Sequence, residues 1–321
     1  MRRLIIVLTA ITLVFIAAPA KRRVTRSANP HAQASHARIP GPDVKPRVIN
    51  ANGMEFIFNH INATAYYKVN KKEVETDCHN GYCQETLIID WPVTIDGQPA
   101  ISFQNKILER FRQWYVSDLM ITHDVINQFE TIDDLIAQCN QCPFCKRHRR
   151  VAAIPGKKNT YFNDSLYEIY RANLYRCSSR MVGLVMEYSE YGGGGTSDSF
   201  VEQKLVFNYD LRNDCMITAD QCFKPSLRPL IESKVKKIAI EDDGGDGDWV
   251  KVEFITDNFV IEKNYITFFY DGYAYLDRTT AVTFSFDDIK EYALPLLLDI
   301  MSEEDYYENF AEAGLNYTPD D

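Results

Sequence analysis

The sequence predicts an α+β fold: a twisted, mainly antiparallel sheet with helices packed on one side and disulfides stapling it. Three observations predict this. Alternating or β-branched and aromatic runs recur before residue 92 and again from 167 to 286. Two stretches, near 102–119 and 124–138, carry apolar residues at three- and four-residue spacing, the period of a half-buried helix. Eight cysteines, an even number, follow an N-terminal stretch laid out as an export signal.

The 321 residues are 45% hydrophobic and include 19 Tyr and 18 Phe, ample material for a packed core and unlike a disordered chain. The formal charge is −10. Removing residues 1–20, which hold Arg2 and Arg3, makes the balance still more acidic. Such a surface repels phosphate backbones, so nucleic acid is excluded as a partner class.

Met1-Arg2-Arg3 is a short basic n-region, Leu4 to Ala18 is apolar apart from Thr9 and Thr12, and Ala18-Pro19-Ala20 offers small residues for cleavage. This is the layout of a secretory signal; the alternative is an uncleaved N-terminal membrane anchor. Lys21, Arg22 and Arg23 follow directly, a feature that disfavours cleavage. Both readings place the bulk of the chain outside the cytoplasm. Residues 21–49 read as a basic, proline-containing linker, too poor in large apolar groups to offset its ordering entropy. The expected organisation is a signal or anchor over 1–20, the linker over 21–49 and an N-terminal α+β region with a cysteine-rich insert over 50–160. A C-terminal α+β domain over 161–302 and an acidic tail over 303–321 complete it.

Within the first region, Met54–Asn59, Ala63–Val69 and Thr86–Trp91 read as strands. Asn80-Gly81 is a turn dipeptide that predicts a hairpin closed by Cys78 and Cys83. A helix is expected from Ser102 to Leu119 on Ile107, Leu108, Phe111, Trp114 and Tyr115, and a second over Asp124–Gln138. Strands are then expected over Tyr167–Tyr175, Arg180–Tyr188 and Val201–Tyr209, and a helix over Ser226–Ile238. After the acidic loop Glu241–Asp248 come strands over Val250–Ile255, Asn258–Tyr270 and Ala281–Phe286. Ser285 with Asp288 resembles a capping box opening a last helix, which Pro295 should kink or break.

Three pieces of the C-terminal half match a known pattern. Met181–Tyr191 before Gly192–Gly195 is one. Leu205–Leu211 with Ile217-Thr218-Ala219-Asp220-Gln221-Cys222-Phe223-Lys224-Pro225 is the second, and Phe259–Tyr273 with Phe284–Lys290 the third. Together they resemble a bacterial domain of unknown function. That domain ends the ectodomain of lysozyme-sensing, RsiV-like anti-sigma factors and sits beside the catalytic domain of PdaC-like peptidoglycan deacetylases. Leu87–Pro92 with Asn105 and Ile107 resembles the companion N-terminal pattern, so the likeness spans roughly residues 50–295. It implies a binding or sensory module of the cell envelope, with a cell-wall glycan or a lysozyme-like protein as ligand. Deacetylase chemistry belongs to a separate catalytic domain.

Cys139-x-x-Cys142-x-x-Cys145-x-x-His148 is the sharpest local pattern, and three chemistries fit it. Thiolates and imidazole at this spacing suit tetrahedral zinc. Cys142-Pro143-Phe144-Cys145 beside Lys146, Arg147, Arg149 and Arg150 resembles a thiol–disulfide exchange motif. In an exported chain two structural bridges among Cys139, Cys142, Cys145 and Cys177 use the same atoms without a metal, and this reading is favoured. Cys215 and Cys222 flank a corner the family builds without cysteines and are expected to bridge locally, a gain of about 2–3 kcal/mol.

Other patterns point away from chemistry. Gly192–Gly195 lacks the lysine and hydroxyl residue of a phosphate loop, Glu241–Asp248 lacks calcium-loop spacing, and no nucleophile elbow occurs. Hence no cofactor and no catalytic residue is assigned. The sequence reads as an exported envelope-binding or sensory module, the alternative being a metal- or thiol-dependent enzyme centred on Cys139–His148.

Overall fold

A computed structural model describes residues 41–68, 82–117, 130–139, 149–151, 166–191, 200–243, 247–270 and 279–311. All belong to one unit, Arg38–Asp321; a second, Met1–Ala37, lies wholly outside the described residues.

The main sheet begins with β1 (Asp43–Ala51), so the last seven residues of the expected linker, 43–49, are strand. Asn52 and Gly53, with φ of 49° and 74°, turn the chain into β2 (Met54–Lys68). Two consecutive left-handed residues make the tight turn whose twist suits a hairpin, and Asn-Gly is the pair that tolerates it. Buried Phe56 and Phe58, then Ile61, Ala63, Ala65 and Tyr67, join the two expected strands into one. β3 (Tyr82–Ile95) pairs with β2, and Asp96-Gly97, again with positive φ, returns the chain through the short β4 (Gln98–Pro99). β5 (Arg149–Val151) continues the edge of β2 where β1 no longer reaches.

β6 (Leu166–Cys177), β7 (Met181–Tyr191) and β8 (Phe200–Asp210) form an antiparallel set closed by β9 (Cys215–Met216). β6 joins the first set through a parallel ladder with β3, from Cys83 opposite Leu166 to Ile89 opposite Ala172. One sheet thus runs across residue 160, in the order β1-β2-β3-β6-β7-β8-β9.

Two apolar layers cover this sheet on opposite faces. α1 (Ile101–Ser117) and α2 (Ile132–Cys139) lie on one face, with Phe103, Ile107, Leu108 and Phe111 at helical spacing against the strands. Phe103 stacks on Tyr209 with ring centroids 4.5 Å apart. β7 shows why there is a second layer. Val182, Leu184, Met186 and Tyr188 face this helical layer, whereas Met181 and Val185 face the other core. A strand apolar on both faces must be covered twice. Helices packed on one side only, the sequence expectation, is therefore corrected.

The second layer contains α3 (Ala219–Cys222), α4 (Arg228–Asp243) and a small sheet of β10 (Phe259–Ile261), β11 (Tyr265–Tyr270) and β12 (Thr280–Ser285). α5 (Phe286–Ile289) and α6 (Pro295–Met301) close it. Ile231, Val235 and Ala239 bury one stripe of α4 at four-residue spacing. Phe223, Phe259, Phe268 and Phe284 form an aromatic centre with ring centroids 5.1–6.2 Å apart. The corner Cys222-Phe223-Lys224 pairs with Tyr292–Leu294, since Leu294 N–H donates to Cys222 O and Lys224 N–H to Tyr292 O, both at 2.8 Å. The Ser285 hydroxyl caps α5, accepting from Asp288 N–H. The helix stops after four residues, and Pro295 opens α6 at a position where its missing N–H costs nothing.

Two further expectations are corrected. Val250–Ile255 is an irregular extended segment rather than a strand. Glu232 of α4 accepts its Val252 N–H, Arg228 of α4 donates to its Glu253 O, and Val250 N–H bonds Gly247 O. Residues 303–311 are no frayed tail, because β13 (Tyr307–Glu308) pairs with the end of β6. Residues 312–321, the glycine run 192–195 and the Cys78 hairpin loop lie outside the described residues.

Candidate functional site

The site grows from an irregularity in β6. Its register against β7 slips between Leu174 and Arg176, making Tyr175 an extra residue. A bulge of this kind turns neighbouring side chains the same way, and Tyr175 and Arg176 both reach Ile261 of β10. Ile261 N–H donates to the Tyr175 hydroxyl at 3.3 Å, and Arg176 Nη1 donates to Ile261 O at 3.2 Å. The Tyr175 ring lies over Gly183, where a Cβ would come within 2.2 Å of it, so glycine is required at that position. The Tyr175 hydroxyl donates to Asn208 Oδ1 at 2.5 Å, and Asn208 Nδ2 donates to Phe259 O at 2.7 Å.

The bulge also lies beyond the end of the β3–β6 ladder, where β6 would be left with an unpaired edge. Two devices fill the gap. Asp90 of β3, fully buried, accepts the Leu174 N–H at 2.9 Å. Further along, β13 takes the place of a strand, with Tyr307 opposite Cys177 and Asn309 N–H donating to Tyr175 O at 2.9 Å. The segment 303–311 thus acts as a clasp. Asn52 N–H donates to Asp305, and the Ser179 hydroxyl donates to Glu303 at 2.7 Å.

Between the clasp and β10–β11 lies a cavity of about 460 Å³. Arg176 and Tyr306 line it, the guanidinium carbon 4.0 Å from the ring centroid. Lys263, Asn264, Glu303 and Glu304 line it as well. Arg176 is 1% exposed; its Nη2 donates to Ile300 O at 3.0 Å and sits 3.8 Å from Glu303 Oε2. Arg176 Nε and Glu303 Oε2 are enclosed and have no hydrogen-bond partner. Such unmet groups are costly and rare in native cores.

Beside the cavity two carboxyls are both pushed up, chiefly by burial. Burial, then the neighbouring Glu308, pushes Glu262 up to about 7, against the small opposing hydrogen bond from Thr267. Burial also raises Glu308, opposed by the Lys263 N–H and the Arg176 charge. Burial and Glu308 together push Tyr306 up to about 12. Proton exchange near neutral pH is therefore available at Glu262.

A second polar centre surrounds Asp90. His60, its cross-strand neighbour, donates Nδ1–H to Oδ1 at 2.8 Å, and Arg47 Nη1 donates to Oδ2 at 3.1 Å. Arg47 Nη2 donates to the Tyr307 hydroxyl, tying β1 to the clasp. This bond orients the His60 ring, but no nucleophile among the described residues is bonded to it. A smaller cavity of about 210 Å³ lies between α1 and β9, where Lys106, Arg110 and Asp257 meet. Asp257 there is engaged by the Ala219 N–H.

Cys177, Cys215 and Cys222 are free thiols. The expected Cys215–Cys222 bridge is not formed: Cys215 lies half-exposed on β9 opposite Asp210, whereas Cys222 is buried in the second-layer core. Cys177 belongs to the core on the α1 face, so it takes no part in the expected bridges. Burial pushes the Cys177 and Cys222 thiols up, so neither is a thiolate near neutrality. Cys78, Cys142, Cys145 and His148 lie outside the described residues, as do the side chains of Cys83 and Cys139. Among the described residues no group of three or more His, Cys, Asp or Glu is placed to hold a metal ion. No described helix is long and apolar enough to cross a membrane.

Sequence reasoning missed the clasp cavity entirely. The one signal available was the acidic-aromatic run Glu303–Glu308, whose partners lie far away at Arg176 and Lys263.

The chain matches no family model and no curated protein. Among solved structures it is similar to a member of the DUF3298 family from Bacteroides fragilis, at 14% identity and a TM-score of 0.40, covering 81% of this chain and 98% of that one. It is also similar to a DUF3298 family protein from Pseudomonas aeruginosa, at 11% identity and a TM-score of 0.39, covering 81% of this chain and 97% of that one.

Proposed function

We propose that the chain is an exported binding or sensory module of the cell envelope that takes a neutral, hydroxyl- and amide-bearing ligand, a cell-wall glycan, in the clasp cavity. The lining of that cavity carries the reading. Two cations, Arg176 and Lys263, balance two carboxylates, Glu303 and Glu304, and Tyr306 adds an aromatic surface. A balanced lining of this kind repels no neutral ligand and concentrates neither polyanions nor bare cations. An aromatic ring beside convergent donors and acceptors is the ordinary means of orienting a small polar ligand. The signal-like N-terminus and the resemblance of Met181–Ala293 to envelope-sensor ectodomains support the location.

The test is sedimentation of the purified chain with insoluble peptidoglycan against cellulose. Retention on peptidoglycan that drops at least tenfold in Tyr306→Ala is expected. Equal retention of both proteins on both polymers would remove the proposal.

A further inference from the structure

We infer that the clasp 303–311 is a pH-sensitive strap, closed while Glu262 or Glu308 is protonated and released from β6 when both are ionised, whatever the neighbouring cavity binds. These two half-buried carboxyls belong to opposite sides of one seam. Glu308 lies on β13, and its Oε1 accepts the N–H of Lys263, the residue after Glu262 in the β10–β11 turn, at 3.1 Å. Thr267 of β11 donates to Glu262 Oε2 at a long 3.5 Å, and the charge felt at Glu262 is that of Glu308. The groups facing this seam are Tyr175 and Arg176 from β6, Glu262 and Lys263 from the turn, and Glu303, Tyr306 and Glu308 from the clasp. Arg176 is already engaged by Ile261 O and Ile300 O and stands 3.8 Å from Glu303. Burial keeps the Tyr175 and Tyr306 hydroxyls neutral near pH 7, so the carboxyls alone change charge there.

Ionising Glu262 places a second negative charge beside Glu308 in a seam where like charges repel more strongly than in bulk water. Glu262 is held up to about 7 in the closed strap, against an ordinary 4.5 once returned to water. Between these values the closed strap binds the more protons, so closure is strongest on the acid side and weakens as pH rises toward 7. The clasp can leave without unfolding the sheet. Its apolar anchors, Tyr307 and Phe310, are half-buried at the margins of the two cores. α6 before it is fixed separately by buried Leu297 and Ile300, which leaves exposed Ser302 as the hinge. Segments with so few buried apolar contacts open below the free energy of global unfolding.

Amide hydrogen exchange of the full chain without ligand, read as protection factors between about pH 5 and 7.5, tests this. The Asn309 amide, bonded to Tyr175 O, is expected to lose roughly tenfold or more in protection across that range. It should also stay less protected than the ladder amides of β7 throughout. The double variant Glu262→Gln with Glu308→Gln stays uncharged and keeps an oxygen for the Lys263 N–H. It should cut the loss to about threefold or less, whereas the distant Glu253→Gln leaves it unchanged. A full loss that survives in the double variant would overturn the strap. So would one shared protection factor for Asn309 and the β7 amides at each pH, since the clasp would then open only with the whole fold.

Discussion

Two charged centres meet one end of β6, Asp90 of β3 at Leu174 and Arg176 of β6 two residues on, and they are finished to different degrees. Asp90 receives three donors, from Arg47, His60 and the Leu174 N–H, so that both oxygens are engaged. Those donors come from β1, β2 and β6, and the same Arg47 reaches Tyr307 of the clasp. Two residues along, Arg176 is equally buried but has Nε unmet, beside a carboxylate oxygen that is also unmet. A fully satisfied buried network fixes one arrangement of strands, whereas a partly satisfied one is unfavourable until something completes it. The first is a lock for the sheet, and the second is left incomplete.

The strongest way to break this contrast is at the lock. Asp90→Ala leaves the buried Leu174 N–H and the Arg47 guanidinium without their acceptor, and should cost about 3 kcal/mol. Urea unfolding followed by circular dichroism measures it, and a loss below about 1 kcal/mol would show that the centre is not a lock. Next in size, Arg176→Met removes a charge that is only half satisfied, so its cost should be smaller, about 1–2 kcal/mol from the two carbonyls left bare. If the Arg176 variant proved the less stable of the two, the contrast would be inverted.

The smallest effect is a pH slope. The Glu262 carboxyl, ordinarily near 4.5, is held at about 7 in the folded chain. Between these values the folded state binds more protons than the unfolded one, so stability is greatest below about 4.5 and declines as pH rises through 7. Glu308 is shifted in the same direction and adds to the slope. Glu262→Gln should flatten the decline between pH 5 and 7.5 in thermal melts, and an unchanged slope would show that this carboxyl does not govern it.

Legibility in the sequence followed the range of the interaction. The stripe Phe103, Ile107, Leu108 and Phe111, the Ser285 cap and the break at Pro295 each depend on neighbours within a few positions, and each occurs as the spacing predicts. Asn52-Gly53 and Asp96-Gly97 were equally local turn signals, but the first was hidden beside a stretch that read as a linker. Cysteine spacing misled at Cys215 and Cys222, because seven residues apart in sequence they belong to an edge strand and to a core.

The sequence by itself determined most of the elements, though not β1, β13 or the irregular segment Val250–Ile255: alternation, helical spacing and turn residues act over a few bonds, where chain connectivity already fixes who meets whom. Only the tertiary structure decided that β7 is covered on both faces, that residues 303–311 fill the gap beside β6, and that Arg176 meets Glu303 across more than a hundred residues. A β-strand can accept any free edge of matching register, so its partner is chosen by which edge remains open after the rest has packed. That choice exists only in the folded chain.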